Sequence, residues 1–221
     1  MEQIFYVPEI AVNPILPVDE SRHCVSVLRQ KQGDRISVTD GLGNLFTAIL
    51  EDANPKRCRL QIIERTVRKP DWNYEIEIAV APTKSIDRME WFVEKATEVG
   101  INRIRFVRCK QSERREIKLE RLVKVAVSAM KQSQKTVLPQ IIEMTGFNDV
   151  INHSTAACRM IAHCAGDDRR LMGDVYETGA NALILIGPEG DFSRDEIDGA
   201  IAKGFQPVSL GGSRLRTETA A

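Results

Sequence analysis

Three short polar segments, each directly after an apolar run, fall within residues 186–220. They are Ile186-Gly187-Pro188-Glu189-Gly190-Asp191-Phe192-Ser193, then Ser209-Leu210-Gly211, then Leu215-Arg216-Thr217-Glu218-Thr219-Ala220. Small loops behind strands can wrap a small ligand with backbone groups, because glycine permits unusual φ values and close approach. The first segment is neither G-x-G-x-x-G nor a Walker A loop: it has no lysine, and Pro188 lacks an N–H. Its acidic Glu189 and Asp191 argue against a phosphate ligand. Taken alone, the segment reads equally well as a ligand loop or as a plain strand–helix connection. Arg216 and Glu218 can act on an ionising substrate or simply pair with each other. His163, behind another apolar run, is either a satisfied core residue or a ligand contact. Asp87, Glu90, Glu94 and Glu98 alternate with Arg88 and Lys95, as a solvated helix face with i,i+4 pairs would. No Ser-His-Asp or Cys-His set can be assembled.

The elements that must position these residues are legible in outline. The alternation-free run Ala182–Ile186 predicts a strand buried on both faces. Ser193-Arg194-Asp195-Glu196 is a capping box, and its helix should end near Gly204. Pro207–Leu210 predicts the last strand. Upstream, strands are expected at 75–80, 104–107 and 159–162, with helical stripes over Ile86–Val99 and Leu119–Met130. Gly100 is a good stop for the first of these helices. Alternating strands and helices imply a parallel sheet covered on both faces. The first 70 residues differ. Short strand-like runs at 36–39, 46–50 and 58–63, the turn residues Asp40-Gly41 and Gly43-Asn44, and one short helix around 19–29 suggest a small β-barrel. Lys69-Pro70-Asp71 marks the expected boundary between residues 1–70 and 73–221.

Composition excludes several classes. The chain of 221 residues is 43% hydrophobic and 28% charged, ordinary for a globular protein. No apolar run suits a membrane span, and no secretory signal is visible at the N-terminus. Five scattered cysteines without a C-x-x-C pair read as reduced thiols in a cytoplasm, and three histidines make a metal centre unexpected. Net charge is zero but uneven. Residues 56–70 hold six basic residues and one acidic, net +5, and residues 103–135 hold eleven and three, net +8. Two such blocks suggest a positive face for a polyanion, although each alone would read as a solvated surface.

The motifs together resemble the RsmE family, 16S ribosomal RNA methyltransferases acting on uridine N3 within the SPOUT class. The resemblance rests on Ile186-Gly187-Pro188-Glu189-Gly190 with Phe192-Ser193 and Glu196-Ile197, then Gly204-Phe205, Ser209-Leu210-Gly211 and Leu215–Ala220. It continues upstream through Lys84, Glu94–Gly100, Ser112-Glu113-Arg114, Gln132-Ser133 and Pro139. His23, Val27-Leu28-Arg29, Gly33-Asp34 and Asp40-Gly41 are similar to the family's N-terminal RNA-binding domain. Gln3 and Lys135 stand where arginines are expected, and Asp191 where a third glycine is expected. The chain ends at Ala221, where the family continues as a helix expected to help close the cofactor site and the dimer.

The resemblance implies an α/β fold: a C-terminal SPOUT trefoil-knot domain preceded by a small PUA-like β-barrel domain. It implies S-adenosylmethionine as cofactor, no metal, and methylation of one uridine in the small subunit's RNA by a cytoplasmic homodimer. Cofactor contacts are expected from His163, Ile186, Gly187, Pro188, Gly190, Leu210, Gly211, Leu215, Thr217 and Thr219. The catalytic candidates are Glu218 as base or holder of a base water, Arg216 as partner of developing charge, and Glu189 as second choice for base. Arg22, Arg29, Arg57, Arg59, Arg114, Lys131 and Lys135 are the expected RNA contacts, on a 16S rRNA or 30S substrate. A non-catalytic rRNA-binding or ribosome-assembly protein retaining the fold is the alternative. A nucleotide- or phosphate-binding enzyme is a more distant one.

Overall fold

A computed structural model describes residues 3–70, 72–166 and 169–221, so Asp71 of the expected boundary lies outside the described residues. The chain divides into two compact units. The first comprises Met1–Asp71 with Val127–Leu138, and the second Trp72–Ala126 with Pro139–Ala221.

In the first unit, β1 (Ile4–Tyr6), β2 (Arg35–Thr39), β3 (Asn44–Asp52) and β4 (Arg59–Val67) form one sheet in that order. β1 runs parallel to β2, and the other pairs are antiparallel. The barrel expectation takes the form of this sheet continued past β4: Leu60 N–H donates to Pro14 O at 2.9 Å and Leu16 N–H to Cys58 O at 3.0 Å. The β2–β3 reversal follows from turn chemistry. Asp40 Oδ1 accepts the N–H of Leu42 at 2.8 Å and of Asn44 at 3.3 Å, while Gly41 (φ 77°) and Gly43 (φ 92°) supply the left-handed positions. Phe5, Ile10, Leu16, Val38, Phe46 and Leu50 are among the buried core residues. The expected helix is α1 (Val18–Arg22), continued by a π-helical turn at His23–Val27.

The second unit is built on a seven-stranded sheet, and every pairing in it is parallel. Its strands are β5 (Ile76–Val80), β6 (Arg103–Arg108), β7 (Gln140–Gly146), β8 (Cys158–Ala162), β9 (Arg170–Leu171), β10 (Ala182–Ile186) and β11 (Gln206–Ser209). The spatial order is β7-β6-β5-β10-β8-β11-β9. β10 sits between β5 and β8, which is why its sequence does not alternate. Leu183 and Leu185 enter one core with Ile161, Phe192 and Phe205, whereas Ala182 and Ile184 join Met160 and Val208 in another. Successive side chains of a strand point to opposite faces, so the two clusters cover both sides of the sheet.

The helices are α2 (Ile86–Val99), α3 (Leu119–Gln132), α4 (Phe147–His153), α5 (Met172–Val175), α6 (Arg194–Ala202) and α7 (Thr217–Ala220). Gly100 ends α2 in the left-handed region at φ 108°, as its position predicts. The Ser193/Glu196 capping box opens α6, with both reciprocal bonds present. β1, β7, β9, α4, α5 and α7 have no counterpart in the sequence-based expectation.

β11 lies between β8 and β9, although β8 and β9 are consecutive in the chain. The end of β8 and the start of β9 therefore lie on either side of β11. The chain leaving β11 returns from there to place α7 against α2. Such a return past strands already laid down is the exception that un-knotted folds avoid.

Candidate active site

The three segments singled out in the sequence meet at one place, the carboxyl ends of β8, β10 and β11. They line a cavity of about 490 Å³ together with the start of the 163–169 connection and Arg88 of α2. In open parallel sheets this edge is where ligands bind. Nine of the ten expected cofactor contacts line it: His163, Ile186, Gly187, Pro188, Gly190, Leu210, Gly211, Leu215 and Thr217. Glu189 and Arg216 line it as well.

Local chemistry fixes each wall. Gly187 follows β10 directly, and a Cβ there would sit 3.1 Å from the buried Phe192 ring. Asp191 N–H donates to Pro188 O at 2.9 Å, closing a turn. Glu189 Oε1 accepts the Lys84 N–H at 3.0 Å, and its other oxygen has no partner among the described residues. On the third wall, Ser209 Oγ donates to Gly211 O at 3.1 Å and Gly211 takes φ 121°. Arg169 braces the connection opposite, donating to His163 O at 2.7 Å and Gly166 O at 3.0 Å.

His163 is 8% exposed, and neither ring nitrogen has a hydrogen-bond partner among the described residues. Burial pushes its pKa below the ordinary 6.5, with Asp191 pulling the other way. The ring is therefore neutral at pH 7, with one N–H donor and one acceptor nitrogen. Because the unfolded chain binds this proton more readily, the His163 contribution to stability is fully present above about pH 6.5. It is lost as pH falls through the lower folded value. Thermal melts of the wild type and of His163→Gln between pH 5 and 8 should show that the variant loses part of this pH dependence.

Two expected site residues lie elsewhere. Glu218 is buried but does not line the cavity. Its Oε1 pairs with Arg88 Nε at 3.5 Å, and its Oε2 has no hydrogen-bond partner among the described residues. Thr219 likewise misses the cavity. Both border an apolar hollow with Trp72, Tyr74 and Trp91. The reason is helical geometry: Thr217 and Ala220, three apart, share the cavity side of α7, which turns Glu218 and Thr219 away. Arg216 does not pair with Glu218; it is exposed, with no partner among the described residues. Arg88 was missed, since a charged residue on an amphipathic helix carries no signal of facing a cavity.

The expected RNA contacts divide by what already holds them. Arg22, Arg29, Arg57 and Arg59 are exposed, with no side-chain partner among the described residues. Lys135 is half-buried and also without such a partner. Lys131 is not free: it pairs with Glu20 at 2.5 Å and lies over the Phe5 ring. Arg114 donates to the carbonyls of Thr83 at 3.0 Å and Lys84 at 2.5 Å, so it braces the segment whose Lys84 N–H holds Glu189.

An adenosyl group suits this cavity. The walls are glycine-rich and mix apolar with polar surface, a neutral imidazole offers two unused nitrogens, and Arg88 and Arg214 stand among the lining residues for a carboxylate.

Comparison with known proteins agrees. Residues 70–221 match the family "RNA methyltransferase domain", and residues 16–63 match "RNA methyltransferase PUA domain". Ribosomal RNA small subunit methyltransferase E of Buchnera aphidicola is 28% identical over 211 residues, spanning 92% of this chain and 82% of the relative. A probable rRNA-methyltransferase from Porphyromonas gingivalis superposes with a TM-score of 0.94 at 45% identity, covering 99% of this chain and 93% of that one. A ribosomal RNA small subunit methyltransferase E from Neisseria gonorrhoeae, solved bound to S-adenosyl methionine, superposes with a TM-score of 0.86 at 26% identity, covering 100% and 93%. With its motifs, parallel sheet and cavity as described, the chain belongs to the RNA methyltransferase domain family, in its RsmE branch.

Proposed function

We propose that this protein methylates N3 of one uridine in 16S ribosomal RNA, using S-adenosylmethionine. The observation that carries the reading is the cavity at the carboxyl ends of β8, β10 and β11, with its unpartnered neutral imidazole and its rim of Glu189, Arg88 and Arg216. Two of the relatives named above are called ribosomal RNA small subunit methyltransferase E, and one of these was solved bound to S-adenosyl methionine, which supports the reading.

S-adenosylmethionine supplies an electrophilic methyl on a sulfonium. The chain's residues must exclude water, hold uridine N3 in line with that methyl, and take up the N3 proton. His163 and the backbone around Ile186, Gly187, Leu210 and Gly211 hold the adenosyl group. Positioning of this kind is worth at most ~7–11 kcal/mol. Glu189 is the proton acceptor: its Oε1 is fixed by the Lys84 N–H and its second oxygen is uncommitted. Arg216 stabilises the negative charge that develops on the uracil ring as N3 loses its proton. Glu218 acts at one remove, by holding Arg88 at the cavity.

Arg22, Arg29, Arg57 and Arg59 grip RNA phosphates, which supply affinity and orientation rather than sequence reading. Double substitution of Arg57 and Arg59 by alanine is expected to flatten the slope of log affinity against log salt by about 1–2. Filter binding of 16S RNA across a salt series checks this; an unchanged slope would remove both residues from the interface.

The partner on the second unit's apolar face is another copy of the chain. Trp72, Trp91 and Val99 are 39%, 48% and 79% exposed there, and Trp72 stacks on Tyr74. α7 presents Thr217 and Ala220 to the cavity and Glu218 and Thr219 to this face. A second copy seated on the face would thus brace the cofactor wall from behind. No helix among the described residues is long and apolar enough to cross a membrane. The ribosomal substrate places the enzyme in the cytoplasm. Methyl transfer to small subunits tests the whole reading.

A further inference from the structure

We infer that Asp191 is a positioning residue that latches the start of the 163–169 connection, at Cys164, to the loop after β10 and so shapes the cofactor cavity. The inference rests on the cofactor reading above.

Asp191 is one of three described non-glycine residues with positive φ, at 64°. Aspartate tolerates this left-handed conformation at some cost, and glycine would adopt it freely. What the side chain adds is visible in its bonds. Oδ2 accepts the Cys164 N–H at 2.7 Å, from a residue 27 positions away, and Oδ1 accepts the Phe192 N–H at 2.8 Å. Both carboxylate oxygens are therefore committed to main-chain donors. Asp191 lines the cavity, but its oxygens serve the walls rather than the ligand.

The latch acts on one particular neighbour. Cys164 follows His163, whose carbonyl is held from the other side by Arg169 at 2.7 Å. His163 is thus gripped on both flanks, by Arg169 at its own carbonyl and by Asp191 at the next amide. Its ring nitrogens make no hydrogen bonds to described residues that would fix the ring from the cavity side. Main-chain clamping is what sets the imidazole's position before a ligand arrives. Cys164 is exposed, so without the carboxylate its N–H would turn to water and the connection would gain freedom at the cavity wall. A charge-assisted hydrogen bond of this kind is about twice as strong as a neutral one.

The test uses the full chain with S-adenosylmethionine as titrant in calorimetry, comparing wild type, Asp191→Gly and Asp191→Asn. Glycine relieves the backbone and deletes both bonds; asparagine keeps the left-handed preference and one acceptor oxygen. The expected result is about tenfold weaker binding for D191G and about threefold for D191N. The KM for the cofactor should rise in step with this loss, while kcat stays within about twofold of wild type, because no reacting atom is touched. Hydrogen exchange should show faster exchange of the Cys164 amide in D191G without ligand, a change that general destabilisation would spread across the sheet. Wild-type affinity in D191G, or a Cys164 amide that exchanges equally fast in wild type and D191G, overturns the latch alone. Failure of the wild type itself to bind overturns the cofactor reading and the latch with it.

Discussion

Glu189→Gln is expected to lower kcat for methyl transfer by about 10²–10⁴-fold, with cofactor affinity changed by less than about threefold. The expectation follows from an elimination among carboxylates. Among the described residues, those near the cavity are Glu189, Asp191 and Glu218. Asp191 has both oxygens committed to main-chain N–H groups. Glu218 faces the apolar hollow and pairs with Arg88. Glu189 has one oxygen fixed by the Lys84 N–H and the other uncommitted among the described residues, at an exposed rim where a splayed-out base can enter. Glutamine keeps an acceptor for the Lys84 N–H, so the loop should hold its shape while the base is lost. Single-turnover kinetics with saturating cofactor, beside calorimetry, separate the two effects. Collapse of turnover in Glu218→Gln with normal turnover in Glu189→Gln would reverse the assignment.

Arg216→Ala is expected to cost about 10²–10³-fold in kcat, the range for removing one preorganised donor to a developing oxyanion. Arg216 is the base of α7, exposed and without a partner among the described residues, so its guanidinium is available to a substrate. Arg88 is less available, because Glu218 holds it. Arg216→Lys should recover part of the rate, since a point charge replaces a planar donor pair. Cofactor affinity in both variants should stay near wild type. A variant that loses cofactor affinity and keeps its maximal rate would instead place Arg216 on the cofactor's carboxylate.

What was legible in the sequence followed from strong local signals. The run at 182–186 predicted a central strand because burial on both faces removes alternation, and β10 lies between two neighbours in the sheet. Ser193 with Glu196, and Gly100, predicted helix ends because caps are local chemistry. β7 stayed hidden because its residues are half-buried at a sheet edge and show no clean period. β9, two residues long, exists only through its pairing with β11. The site was legible as a set of loops, since all three segments reach the cavity. Which side chains face inward was not. α7 has four residues, too few for a periodic pattern, and its rotation sends Glu218 to the opposite side from Thr217. Basic residues posed the same difficulty: Lys131 and Arg114 look like phosphate ligands by type, yet Glu20 and two carbonyls already hold them.

The most direct measurement is transfer of labelled methyl from S-adenosylmethionine to small ribosomal subunits lacking the modification, with naked 16S RNA in parallel and the product mapped by nucleoside mass spectrometry. N3-methyluridine at a single position is the expected product, formed by the wild type and strongly reduced with Glu189→Gln. Cofactor binding by the wild type with no methyl transferred to either RNA would contradict it, and would favour an rRNA-binding assembly protein that keeps the fold without the chemistry.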